Sequence, residues 1–106
     1  MIRRLYATLW HLAPFLIRRH LRRRALKSPA YLEHWDERFG QAYPNPVQRP
    51  IWIHAVSVGE TRAAEPLVKA LRRHFPDSPF LITQMTPTGR ATAQSLFPDA
   101  QCRYLP

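Results

Sequence analysis

The chain has a single cysteine, Cys102, which excludes an internal disulfide and agrees with a reducing compartment. Its five histidines and that one thiol are too scattered to build a metal centre. Only three glycines are present. None falls in a Gly-x-Gly-x-x-Gly fingerprint or a Gly-x-x-x-x-Gly-Lys phosphate loop, so neither a dinucleotide nor a nucleoside triphosphate site is expected. No apolar run reaches the roughly 20 residues that cross a bilayer. With 106 residues there is room for at most one modest domain.

Acidic residues are missing from residues 1–27, and this places the charge. The formal net charge of +9 resembles a nucleic-acid signature until it is located. Arg3, Arg4, Arg18, Arg19, Arg22, Arg23, Arg24 and Lys27 contribute eight positive charges there, whereas the other eight basic residues face seven acidic ones. The terminal segment has an apolar centre from Leu5 to Ile17. Ile2, Leu5, Leu9, Leu12 and Leu16 recur at helical spacing, with Tyr6 and Trp10 beside them. No small-residue cleavage site follows, and the arginine cluster lies on the wrong side of the apolar centre for a secretory signal. An interfacial helix fits better. Leu5, Leu9, Trp10, Leu12 and Leu16 would enter the acyl boundary while Arg18, Arg19 and Arg22 meet anionic headgroups, at on the order of 1 kcal/mol per cation. The arginines place that helix on a cytoplasmic face. The plainer reading is an amphipathic helix docked on protein with solvated arginines. A nucleic-acid partner is not expected, because the rest of the chain has neither a recognition motif nor a basic stripe.

Residues 28–50 read as a connector. Ser28-Pro29 ends the basic helix, Tyr31 to Phe39 suits one short helix packing Tyr31, Leu32, Trp35 and Phe39, and Gly40 stops it. Pro44, Pro46 and Pro50 then keep the chain extended. Residues 51–106 read as strand, helix, strand, helix, strand. The strands are Ile51–Val56, Phe80–Gln84 and Gln101–Leu105, and Ala64, Leu67, Val68, Leu71 and Phe75 form the apolar stripe of the first helix. Right-handed crossovers would cover the sheet in the usual doubly wound sense. Three parallel strands with two helices leave one sheet face and one edge uncovered.

Two turns at the carboxyl ends of strands carry the candidate chemistry, since ligands of open parallel sheets bind in the crevice there. The first is Ser57-Val58-Gly59-Glu60 and the second Thr86-Pro87-Thr88-Gly89. Ser-x-x-Glu is also a capping box, in which Ser57 and Glu60 each accept a backbone N–H. Pro66 would kink a helix begun at Val58 and so weaken that box. Thr86 before Pro87 is a good N-cap with proline at the first helical position. Thr86, Thr88 and Gly89 would nonetheless line the same crevice as Glu60, where Arg90 is either an exposed helical arginine or a partner for a phosphate. His54 reads as a buried, hydrogen-bonded histidine rather than a base.

The order and spacing of Arg38-Phe39-Gly40, Ser57-Val58-Gly59-Glu60, Thr86-Pro87-Thr88-Gly89 and Tyr104-Leu105-Pro106 resemble the 3-deoxy-D-manno-octulosonic acid (Kdo) transferases of lipopolysaccharide synthesis. That resemblance implies the acceptor-side, partial Rossmann-like α/β domain of a two-domain GT-B glycosyltransferase at the cytoplasmic face of the inner membrane, with the carboxy-terminal, donor-binding domain missing and this piece inactive alone. It implies inverting transfer of Kdo from CMP-Kdo to the lipid A precursor, lipid IVA, without an obligatory metal ion or other cofactor. Glu60 matches the glutamate assigned as the family's general base; Ser57, Gly59, Thr86, Thr88, Gly89 and Arg90, from their place at the two turns beside it, are the candidate acceptor-side residues. Two readings compete with this one. One is a peripheral membrane or interaction module without chemistry; the other is a GT-B enzyme using another lipid acceptor. If the terminal segment is a membrane helix, Leu9→Asp with Leu12→Asp abolishes vesicle binding with every cation intact. Retained binding in a vesicle sedimentation assay would exclude that role.

Overall fold

A computed structural model describes residues 1–41 and 46–106, which form two compact units, Met1–Glu33 and His34–Pro106. The expected extension at Pro44 lies outside the described residues.

The first unit is a long helix, α1 (Ile2–Ala25), followed by a 3-10 turn over Pro29–Leu32. Pro14 sits within α1, and Arg22, Arg23 and Arg24 occupy its last turn, where cations complement the helix dipole. Arg24 donates to the Tyr31 hydroxyl and lies over its ring, tying the turn to the helix end. On α1, Leu21 and Ala25 are buried, whereas Ile2, Leu5, Leu9, Leu12 and Leu16 are all more than half exposed. At a rise of about 1.5 Å per residue the apolar centre is about 20 Å long, against about 30 Å for a bilayer core. No helix among the described residues is long and apolar enough to cross a membrane.

The second unit starts with one helical turn, α2 (Trp35–Arg38), entered through His34 at φ +52° and left through Gly40 at φ +70°. Glycine meets the second turn at no steric cost. The expected continuous helix over Tyr31–Phe39 is therefore broken at His34, and the residues it buries are charged. Glu37 and Arg38 are inside, whereas Leu32 is exposed and Trp35 and Phe39 stack on one another half-buried.

Three parallel strands follow in the order β1 (Ile51–His54), β2 (Phe80–Gln84), β3 (Gln101–Tyr104), with Ile53 level with Ile82 and Ile82 with Cys102. Between β1 and β2 run α3 (Val58–Ala63) and α4 (Glu65–His74); α5 (Pro87–Leu96) joins β2 to β3. The break between α3 and α4 falls at Ala64, with Pro66 in the first turn of α4, where its missing N–H has no helical partner to lose. Because α3 packs on α5, both crossovers occupy one face of the sheet. The doubly wound covering is thus corrected to a singly wound one: a strand order without reversal sends successive right-handed crossovers to the same side.

On that face Phe80, Ile82 and Cys102 meet Val68, Ala93 and Phe97, with Ile51, Ile53 and Leu71 packed against them. The expected stripe on α4 is only half right, since Val68 is fully buried but Leu67 and Phe75 are each 53% exposed. The opposite face carries Trp52, which is 60% exposed, and His54. Both reach the hydroxyl of Thr83, at 3.0 Å from the indole nitrogen and 2.9 Å from Nδ1 of the imidazole. His54 is hydrogen-bonded as expected, but exposed.

A carboxylate closes the outer edge of β3. Glu37 Oε2 accepts the Tyr104 N–H at 3.1 Å and Oε1 accepts from Arg103 Nη1 at 2.9 Å, while Arg90 forks both oxygens. Burial pushes the Glu37 carboxyl up, but the hydrogen bonds from Arg90, Tyr104 and Arg103 outweigh it and hold the group at about 2 against an ordinary 4.5. The folded form therefore gains stability from ionised Glu37 above about pH 4.5 and loses it as pH falls toward about 2, on the order of 3 kcal/mol in all. Urea midpoints should drop across that window. In Glu37→Gln the drop should flatten and neutral-pH stability fall by about 3–5 kcal/mol, because two arginines lose their counter-charge.

Candidate functional site

The residues that follow the ends of β1 and β2 are laced together by the backbone. The Ala55 N–H donates to Thr83 O at 3.0 Å, and the Met85 N–H to Val56 O at 3.2 Å. Met85 O in turn accepts from Arg38 Nη1 at 2.8 Å, and the Arg38 guanidinium lies 3.7 Å from the centroid of the Tyr104 ring. Through Met85, the α2 turn is bonded to the same loop pair that carries the candidate chemistry.

Glu60 stands on the first turn of α3 and is exposed. Its Oε2 accepts the Val56 N–H at 2.8 Å, reaching back over the turn. The capping box is thus half formed and displaced by one residue. The glutamate caps the N–H one place before the N-cap, and the Ser57 hydroxyl makes no cap bond at all. The Ser57 carbonyl does the local work instead, accepting from the Thr61 N–H at 2.9 Å and the Thr61 hydroxyl at 2.7 Å.

The second turn follows expectation more closely. Thr86 Oγ1 accepts the Gly89 N–H at 3.1 Å and Pro87 opens α5, a complete N-cap. Thr88 is exposed beside it. Gly89 is buried against the other turn: a Cβ there would lie 2.9 Å from Thr86 Oγ1 and 3.3 Å from the Ser57 Cα and carbonyl carbon. The two turns are therefore side by side, as their sequence positions imply. Gly59 is the opposite case, exposed, with nothing within 4 Å of an added Cβ. Among the described residues, neither packing nor backbone geometry requires a glycine there.

Arg90 is neither an exposed helical arginine nor open to a phosphate. It is buried, committed to Glu37, and its guanidinium lies 4.8 Å from the Tyr104 ring centroid. That expectation is corrected on charge grounds: a guanidinium already forked by a desolvated carboxylate has little attraction left for a second anion. Sequence reasoning missed Glu37. The available signal was a carboxylate flanked by Arg38 and the helix-stopping Gly40, in a chain with only seven acidic residues. What it could not supply was the return of Arg90 and Arg103 from 53 and 66 residues away.

Among the described residues no group of three or more His, Cys, Asp or Glu is placed to hold a metal ion. Cys102 is buried, and that burial raises its thiol pKa against the opposing field of Arg90. The two glycines separate fold from site. Gly89→Ala should cost about 1–3 kcal/mol by forcing the two turns apart. Gly59→Ala should be neutral or raise stability by up to about 1 kcal/mol, since alanine is the better helix former and has space in the first turn of α3. Thermal denaturation of the two variants side by side checks both expectations.

Residues 33–106 match the model of the 3-Deoxy-D-manno-octulosonic-acid transferase (kdotransferase) family. The chain is similar to the 3-deoxy-D-manno-octulosonic acid transferase of Bordetella pertussis, with 52% identity over 63 residues, covering 57% of this chain and 14% of that protein. It is also similar to the enzyme of the same name from Haemophilus influenzae, at 40% over 83 residues, covering 76% and 19%. A probable mitochondrial 3-deoxy-D-manno-octulosonic acid transferase of Arabidopsis thaliana is 38% identical over 86 residues, covering 78% and 19%. No solved structure matches the chain. The chain spans less than a fifth of the length of these relatives. With the family match extending from the α2 turn through β3, and with both strand-end turns inside it, this chain belongs to the Kdo transferase family.

Proposed function

We propose that this polypeptide is the acceptor-side, Rossmann-like part of a GT-B glycosyltransferase that moves Kdo from CMP-Kdo to the lipid A precursor with inversion. The observation that carries the reading is the state of Glu60. Its carboxylate is exposed at the carboxyl end of a parallel strand, with Oε2 steadied by the Val56 N–H. The other oxygen, Oε1, is left for the acceptor hydroxyl. As that hydroxyl attacks the anomeric carbon from the face opposite the departing nucleotide, it must lose its proton, and a positioned carboxylate within hydrogen-bond reach accepts it. Gly59 beside it leaves the backbone accessible to a sugar ring. Ser57 and Thr88 offer hydroxyls around the paired turns, whereas Thr86, Gly89 and Arg90 act by holding the turns in place. In this reading α1 lies on the anionic cytoplasmic face of the inner membrane, where a lipid acceptor is presented, and a carboxy-terminal domain supplies CMP-Kdo.

A second reading takes support from the same bond. Because Glu60 accepts a backbone N–H, a purely structural cap is a sufficient role for it, and the polypeptide would then be a peripheral membrane module. One substitution separates the two. In a chimera where residues 33–106 replace the matching segment of the Bordetella pertussis relative, Glu60→Gln should keep the cap, since the amide oxygen still accepts the Val56 N–H. Transfer of radiolabelled Kdo to lipid IVA should nevertheless fall at least about 100-fold, the lower range for losing a general base. Undiminished transfer would leave Glu60 as a cap only.

A further inference from the structure

Along α1 the apolar centre, Leu5 to Ile17, is followed by a cluster of arginines. There Phe15, Arg18, Arg19, Arg22, Arg23 and Leu26 line a shallow groove. Arg18 and Arg22 are one turn apart and form one wall; Arg19 and Arg23, also one turn apart, form the other. Phe15 lies a turn before them and Leu26 a turn after. Arg24 is turned away from the groove, to the ring and hydroxyl of Tyr31. Compensation of the helix dipole explains cations in the last turn, but the effect fades within one turn, and Arg18 and Arg19 lie beyond its reach. Residues 1–27 contain no acidic residue.

We infer that this groove is a phosphate-gripping site for the phosphomonoester headgroup of a membrane lipid, which deepens, and rests on, the reading of α1 as a membrane-surface helix. Paired guanidiniums fork phosphate oxygens two at a time, and two facing pairs suit a dianionic phosphomonoester better than the single charge of a phosphodiester. The location selects a lipid rather than a soluble phosphate. The groove begins at Phe15, inside the apolar centre, so a phosphate held between the arginines sits at headgroup depth when Leu9, Leu12 and Leu16 occupy the acyl boundary.

Binding of the full 106-residue chain is to be measured on phosphatidylcholine vesicles carrying either phosphatidic acid, a phosphomonoester, or phosphatidylglycerol, a phosphodiester, matched for surface potential. The expected result is roughly tenfold tighter binding to phosphatidic acid. Combining Arg18→Lys, Arg19→Lys, Arg22→Lys and Arg23→Lys keeps every charge but removes the forks, so it should retain phosphatidylglycerol binding and lose the preference. Circular dichroism confirms that the helix persists in that variant. Equal binding of the wild-type chain to both vesicles overturns the site while leaving α1 a membrane helix. A preference that survives in the lysine variant overturns it as well. Absence of binding to either vesicle removes the membrane reading and the site together, and displacement by an equimolar amount of soluble glycerol 3-phosphate excludes the lipid as occupant.

Discussion

The α/β unit depends on one carboxylate. Glu37 ties a helical turn at the start of the unit to β3 near its end, and it does so on the strand's open edge, where an unpaired Tyr104 N–H would otherwise face outward. A buried charge is tolerable only when its lone pairs are satisfied, and here Arg90, Arg103 and a backbone amide do so together. The consequence reaches beyond the edge. Since Arg90 lies on α5, the clamp also sets the position of the helix whose amino terminus forms the second strand-end turn.

From that anchor the geometry passes to the candidate site in short steps. Beside Glu37, Arg38 spans the Tyr104 ring and the Met85 carbonyl; Met85 bonds Val56; and Val56 holds Glu60. Each link is a hydrogen bond or a ring contact, so the exposed carboxylate is tied back to the packed part of the unit. The two sets of turn residues then divide by role. Gly89, Thr86 and Arg90 are occupied in holding the fold, whereas Glu60, Gly59 and Thr88 face outward.

Unpaired surface is the other theme of this molecule. Trp52 and His54 on one sheet face, Leu67 and Phe75 on α4, and the whole apolar centre of α1 are open to solvent. For α1 the exposed apolar residues are followed along the helix by a run of arginines, and the proposed membrane role rests on that combination. For the sheet face the residues are mixed. Trp52 and His54 converge on the Thr83 hydroxyl, which partners the indole nitrogen and Nδ1 of the imidazole.

Periodicity and turn chemistry were legible in the residues alone. The alternation and apolar runs of Ile51–His54, Phe80–Gln84 and Gln101–Tyr104 marked the strands to within two residues, because strand propensity and flanking prolines act locally. The N-cap at Thr86 and the stop at Gly40 were legible for the same reason, as was the side-by-side placement of the two turns. What the tertiary structure decided is who answers whom. The broken helix at His34, the burial of Glu37 and Arg38 in place of their apolar neighbours, and the commitment of Arg90 to a carboxylate 53 residues away all arise from contacts distant in sequence. A residue's type states what charge or hydrogen bond it offers, but only the folded chain determines which partner is close enough, and dry enough, to take it.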